Sequence, residues 1–454
     1  RITVQGPSCC VCKNAEINML WAYSSCPETL MYGRFAKGID DADIIAASAP
    51  KPIMFIAARY DDLFKIQSVR RFVKEVKAVF DIAGAGNKFV YFEDKAPHSY
   101  TLIQARQFAG FMNKYLLNDE RRSLPEVGEN DFTMIPYEEL KCNPPPNADD
   151  MRTLTVKTAL EARKKYQSKP VSVSKIKKLI SWDKIALKPL SIKKGRNFYF
   201  SRKWIARQML FCDKGQIELP AFYLFPIAGS KTMIVHFDDR NKYANVVAGG
   251  ILSQTAGIYS KENVSSLLSV DLPGWGDTTP AMYPYEIYSW GAPDRFISYT
   301  TAANGDHIMA IRIRLACALI KSVRERMKYH GRIILTGRGG GGVVALHTAL
   351  LMEKEIGCVA MWDTLWSYLS LAETEKYVWA ADVFMPKILQ FYDLPELMAS
   401  LKVPVRAFNP ILGDGCGVSA DEIKNWQKKF PANVKIINCA ENVLIRELSG
   451  VIYS

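Results

Sequence analysis

Near the start of the chain, Asp61, Asp62 and His98 are the side chains whose types and spacing best suit acid–base chemistry. His98 lies in an Ala-Pro-His-Ser-Tyr stretch and is one of only five histidines in 454 residues. A carboxylate beside an imidazole fixes the ring's tautomer and stabilises its charged form, leaving the second ring nitrogen to take a proton from an attacking hydroxyl. The spacing to Phe64 and Ile66 favours Asp62 as that carboxylate, with Asp61 as its competitor, so the expected catalytic pair is Asp62 and His98. A helix-capping aspartate and an ordinary loop histidine would use the same residue types without chemistry.

A hydroxyl nucleophile for such a pair sits on a tight strand-to-helix turn of the form G-x-S-x-G, where small neighbours leave it exposed. Residues 332–347 carry the frame of that turn: an apolar strand, then Gly337, Gly339 and Gly341, then an apolar helix. Gly339 stands at the nucleophile's place, and a residue without a side chain cannot attack a carbonyl. The turn is therefore degenerate. Residues 236–240 end an early strand where an oxyanion loop would lie, and residues 271–278 form a glycine turn after the next strand. Asp414 could hold an acid position, but Ala440 and Glu441 follow the last strand where a histidine would be needed. Ser8, in Gly-Pro-Ser-Cys-Cys, has proline before it and cysteine where such a turn wants glycine, which argues against it as a nucleophile. The same glycines also match G-x-G-x-x-G over residues 337–342, with Asp363 about 20 residues on as a ribose-binding acid would be. Nucleotide binding is thus the alternative reading, although that fingerprint usually opens its domain and here strands precede it.

These residues need strands to hold them. Proline-entered residues 47–58 read as a strand, followed by a helix over 67–83, a strand over 88–92, the His98 loop and a helix over 102–117; residues 1–5 are strand-like. Further strands are expected at 232–237, 266–272, 332–336, 357–362, 403–409 and 434–439, separated by helices at 308–329, 343–355 and 420–430. Alternating strands and helices argue for a mostly parallel sheet covered on both faces, with functional groups at the strands' carboxyl ends. The order strand, helix, strand near the start returns weakly near the end, beginning at residue 401.

The balance of 59 Lys+Arg against 46 Asp+Glu gives a net charge of +13, much of it between residues 163 and 203. Those residues lack the aromatic and glycine signature of an RNA-binding sheet, so no nucleic-acid partner is expected. No run approaches the ~18 apolar residues of a membrane span, so no membrane partner is expected either. Cys9, Cys10, Cys12 and Cys26 cluster, but their spacing is not that of a metal knuckle, and neither metal nor cofactor is expected.

The segment Pro50 to Ala58 with Asp62-Leu-Phe-Lys-Ile66, then Pro97-His98, resembles the acid turn and histidine loop of acetyl xylan esterases and related prolyl-oligopeptidase-like α/β-hydrolases. That resemblance implies an α/β fold of tandem hydrolase-like units with mostly parallel sheets, the first represented only by its C-terminal half. It covers 1–118 as that half and, more loosely, 220–440; between them the charged, then Pro-rich residues 119–150 read as a linker and 151–230 as a basic helical and β-type lead-in, ahead of a degenerate second unit at 231–454. It further implies a serine-type carboxylic-ester hydrolase acting on a small-molecule or glycan ester, in a secreted or periplasmic setting. The expected serine lies ahead of Arg1, the first half needing either that missing segment or packing against the second unit.

Overall fold

In the computed structural model, the residues described are all except 1–3, 14–15, 17–29, 127, 129–130, 132–134, 144, 146–147, 167–170, 185–187, 214–216, 248, 258–263, 282–291 and 454. Cys26, two of the linker prolines and the first residues of the strand-like start fall outside them. The chain divides into two compact units, one made of Arg1–Ala148 with Ala281–Ala292 and Tyr299–Gly305, the other of Asp149–Pro280 with Pro293–Ser298 and Asp306–Ser454.

The first unit is built on two parallel strands, β1 (Ile53–Ala58) and β2 (Phe89–Asp94). Parallel bridges from Gln5 to Ile53 and from Ser8 to Ile56 lay the N-terminal segment along the other edge of β1. Every residue of β1 is buried, as expected of a strand covered on both faces. Ile53, Phe55 and Ala57 pack with Val69, Phe72, Val76 and Phe80 of helix α1 (Ile66–Ile82). That three- and four-residue spacing forms one apolar stripe on the helix. Met54 and Ile56 point the other way, toward Phe111 of helix α2 (Leu102–Leu116). The unit is a strand layer between two helices.

The second unit carries a nine-stranded sheet. In chain order its strands are β3 (Ser191–Ser201), β4 (Trp204–Cys212), β5 (Glu218–Pro226), β6 (Thr232–Asp238), β7 (Ser266–Val270), β8 (Arg332–Arg338), β9 (Ile356–Trp362), β10 (Val405–Phe408) and β11 (Val434–Ile437). Across the sheet they run β11-β10-β9-β8-β6-β7-β5-β4-β3. The six strands from β11 to β7 are mutually parallel, and β5, β4 and β3 add an antiparallel edge. The chain is thus α/β with a large, mostly parallel sheet.

One expectation is corrected here. Residues 151–230 are not a separate lead-in, because Ala221–Leu224 of β5 pair with Leu267–Val270 of β7 and bring the hairpin into the main sheet. Helix α3 (Met151–Tyr166) also belongs to this unit. Helices α4 (Ile308–Glu325) and α5 (Gly340–Leu351) pack on one face of the sheet in the main core, whereas Leu444, Leu448 and Ile452 of helix α6 (Glu441–Tyr453) pack on the other. Among the described residues, no helix is long and apolar enough to cross a membrane.

Candidate functional site

Past the end of β1, the Arg59 N–H donates to the Asp94 carbonyl and the Tyr60 N–H to the Ala96 carbonyl, so the chain leaves the strand along the loop that follows β2. Asp61 comes next, 4% exposed. Its Oδ1 accepts the N–H groups of Leu63 (2.8 Å) and Phe64 (2.9 Å), the short-range bonding that suits aspartate to turns. Its Oδ2 lies 2.9 Å from His98 Nδ1. Asp62, in contrast, is exposed.

The carboxylate on the histidine is therefore Asp61, and the assignment to Asp62 is corrected. An aspartate that must take the N–H groups two and three residues ahead sits one position earlier than spacing to the apolar residues implied. Either aspartate of Asp-Asp-Leu-Phe could take N–H groups two and three residues on, and it is the folded turn that assigns them to Asp61.

Because an ionised carboxylate only accepts, His98 donates Nδ1–H to Asp61 and keeps its lone pair on Nε2. The ring lies 5.9 Å from that of Phe64, centroid to centroid, and the His98 side chain is 42% exposed against 1% for Asp61. A buried acceptor thus holds a partly exposed imidazole. The loop is anchored from the next helix: the Thr101 hydroxyl donates to Asp94 Oδ2 (2.6 Å) and accepts the Gln104 N–H, and the Gln104 side-chain amide also reaches Asp94.

Ser8 lies on the N-terminal segment bridged to Ile56 of β1. Its hydroxyl donates to Gln104 Oε1 at 3.0 Å. Cys9 follows at φ 45°, its thiol 3.8 Å from the Ser99 carbonyl and made less acidic by burial and by the charge of Asp61.

In the second unit, Gly339 joins β8 to α5 at φ 54° and ψ −128°, a backbone region that favours glycine. A Cβ on Gly337 would stand 2.4 Å from the Gly341 carbonyl oxygen, and one on Gly341 would stand 2.1 Å from the Phe237 carbonyl oxygen. The tight turn is present, with the three glycines of the sequence reading at its close approaches. What fills it is Asp239. Its Oδ2 accepts the Gly340 N–H at 2.8 Å, and a Cβ on Gly339 would fall 2.0 Å from that same oxygen. The loop after β6 was expected to aim backbone N–H groups at this point; it delivers a carboxylate instead.

Arg338 bridges Asp239 (3.4 Å) and Asp363 (3.3 Å). The turn after β7 is locked by Asp271, which takes the Lys242 backbone N–H (2.6 Å), the Lys242 ammonium (2.7 Å) and the Asp277 N–H (3.0 Å). Asp414 accepts the Cys416 N–H in an exposed turn. His236 is buried within β6, stacked on Trp362 at 5.2 Å and bonded to Thr336. A cavity of about 530 Å³ opens over Gly339, and no histidine lines it. His236 Nε2 also lies 3.7 Å from Asp238, but both side chains are fully buried, so among the described residues no acid–histidine pair opens into this cavity. The nucleotide reading meets the same obstacle: the first N–H of α5, which would bind a phosphate, is taken by Asp239, and Asp363 is paired with Arg338.

No family model and no curated protein sequence matches the chain. Solved structures do. The chain is similar in fold to a Bacteroides fragilis protein assigned to the acetyl xylan esterases, at 14% identity and a TM-score of 0.46 over 64% of this chain and 77% of that one. It is similar to acetyl xylan esterase 1 from Thermoanaerobacterium sp. JW/SL YS485, at 14% identity and a TM-score of 0.40 over 65% of this chain and 98% of that one. It is also similar to an acetyl xylan esterase from Paenibacillus sp. R4, at 13% identity and a TM-score of 0.41 over 70% of this chain and 99% of that one.

Proposed function

We propose that the first unit supplies the acid–base half of a serine-type carboxylic-ester hydrolase. His98 is the general base: Nε2 takes the proton of the attacking hydroxyl and returns it to the leaving alcohol. Asp61 orients the ring and stabilises the imidazolium. The observation that carries this reading is the 2.9 Å bond between a buried carboxylate and a half-exposed imidazole at adjacent strand ends. An acetylated glycan is the substrate class implied by the resemblance carried by Pro50 to Ala58, Asp62 to Ile66 and Pro97-His98.

The second unit is non-catalytic in this proposal. Its turn has no side chain at Gly339, and Asp239 occupies the space one would need. The attacking hydroxyl therefore does not come from that turn.

Hydrolysis of p-nitrophenyl acetate by the full translation product of the gene tests the proposal. His98→Ala is expected to lower kcat/KM by about 10³-fold or more and Asp61→Asn by at least about 10²-fold, with Asp62→Asn within about two-fold of the parent. Turnover that survives His98→Ala unchanged, or no turnover at all by the parent, contradicts it.

A further inference from the structure

The cavity over Gly339 lies outside the carboxyl ends of β6, β8 and β9, where parallel sheets place their ligands. Its walls mix apolar groups (Val378, Val383, Ile411) with the indoles of Trp275 and Trp379. Both indoles are held in place: Trp275 donates to Asp382 (3.1 Å) and Trp379 to the Leu412 carbonyl (2.9 Å). A concave, largely apolar space with a few convergent polar groups is the usual form of a small-molecule site.

Those polar groups are almost all of one kind. Asp239, Asp294, Asp363 and Asp382 line the space, and Arg338 is the cation among the lining residues. Arg312 neutralises Asp382 from behind, with its guanidinium against the far side of Trp275 at 3.8 Å. Asp294 accepts a backbone N–H, that of Ala381. Arg338 reaches its two carboxylates at 3.3 and 3.4 Å, longer than the ~2.8 Å of a well-formed charge-assisted bond. One loosely seated guanidinium is thus shared between Asp239 and Asp363. Burial, with the charges of Asp238 and Asp382, raises the pKa of Asp239 against the lowering effect of the Gly340 N–H and Arg338, while the charges of Arg240 and Arg312 also act on this wall from outside the lining.

We infer that this cavity binds a small organic amine, its ammonium group seated among Asp239, Asp363 and Asp294 and its carbon chain against Trp275 and Trp379. The ligand must donate, because the free polar surface accepts. Phosphates and carboxylates are repelled by the same wall, which separates this site from a nucleotide site. The inference concerns the second unit alone and is independent of the esterase proposal.

Calorimetric titration of the full chain with putrescine, with 1,4-butanediol as its uncharged counterpart of equal length and with ATP, tests this. Putrescine is expected to bind saturably and at least about tenfold more tightly than butanediol, and more weakly as salt is raised. Asp363→Asn and Asp294→Asn are each expected to weaken putrescine by at least about five-fold. Equal binding of diol and diamine, tighter binding of ATP, or no saturable heat with any of the three overturns the inference. The wild-type comparison of diamine with diol decides it even where a variant fails to fold.

Discussion

Asp61 divides its carboxylate between two tasks, Oδ1 closing the turn onto the Leu63 and Phe64 N–H groups and Oδ2 holding His98 Nδ1 at 2.9 Å. The turn and the histidine are therefore fixed by one buried group. Asp61→Ala leaves two N–H groups without their acceptor and is expected to cost about 2 kcal/mol. Asp62→Ala, on an exposed side chain, is expected to stay within about 0.5 kcal/mol. Urea unfolding of both variants checks the difference; equal losses would mean that Asp61 does not organise this loop.

Restoring a side chain at the degenerate turn is expected to be harmful rather than restorative. In Gly339→Ser, the new Cβ meets Asp239 Oδ2 at 2.0 Å at a residue whose φ is 54°, so a loss of about 2 kcal/mol or more is expected. Adding Asp239→Ala removes the collision but not the backbone strain, and recovers part of that loss. Neither variant gains esterase activity attributable to this turn, because no histidine lines the cavity. Thermal unfolding and an ester assay read both outcomes.

His347 sets a pH dependence of stability. It lies buried in α5, where Nδ1–H donates to the Val343 carbonyl and Nε2 accepts the Tyr392 hydroxyl. Burial lowers its pKa from 6.5 to about 4. Above pH 6.5 the ring is neutral in both states and its contribution is intact. As pH falls from 6.5 toward 4, the unfolded chain binds a proton that the folded chain refuses, and about 3 kcal/mol is lost. Unfolding free energies at pH 7 and pH 4.5 are expected to differ by less in His347→Gln than in the parent. An unchanged difference would show that the acid sensitivity arises elsewhere.

The parallel strands of the second unit were readable because each is a short apolar run bounded by turn residues, and a strand buried on both faces leaves that pattern. The lead-in residues 151–230 also read as partly β-type. Nothing local in them, however, revealed that β5 pairs with β7, a partnership between residues more than 40 positions apart. The glycine turn was legible for a different reason: Gly337, Gly339 and Gly341 sit where added Cβ atoms would strike carbonyl or carboxylate oxygens. Asp239 was not legible as the group that fills the turn, since only the folded loop brings its carboxylate to the Gly340 N–H. The choice between Asp61 and Asp62 turned on backbone N–H direction, which apolar spacing does not encode.

The most direct test of the account is the tautomer of His98, read by ¹⁵N-resolved NMR of the full chain at a pH where the ring is neutral. The proton is predicted on Nδ1, unchanged in Asp62→Asn and redistributed toward Nε2 in Asp61→Asn. A proton resident on Nε2 in the parent protein, or a tautomer that responds to Asp62 and not to Asp61, would contradict the role given to this pair.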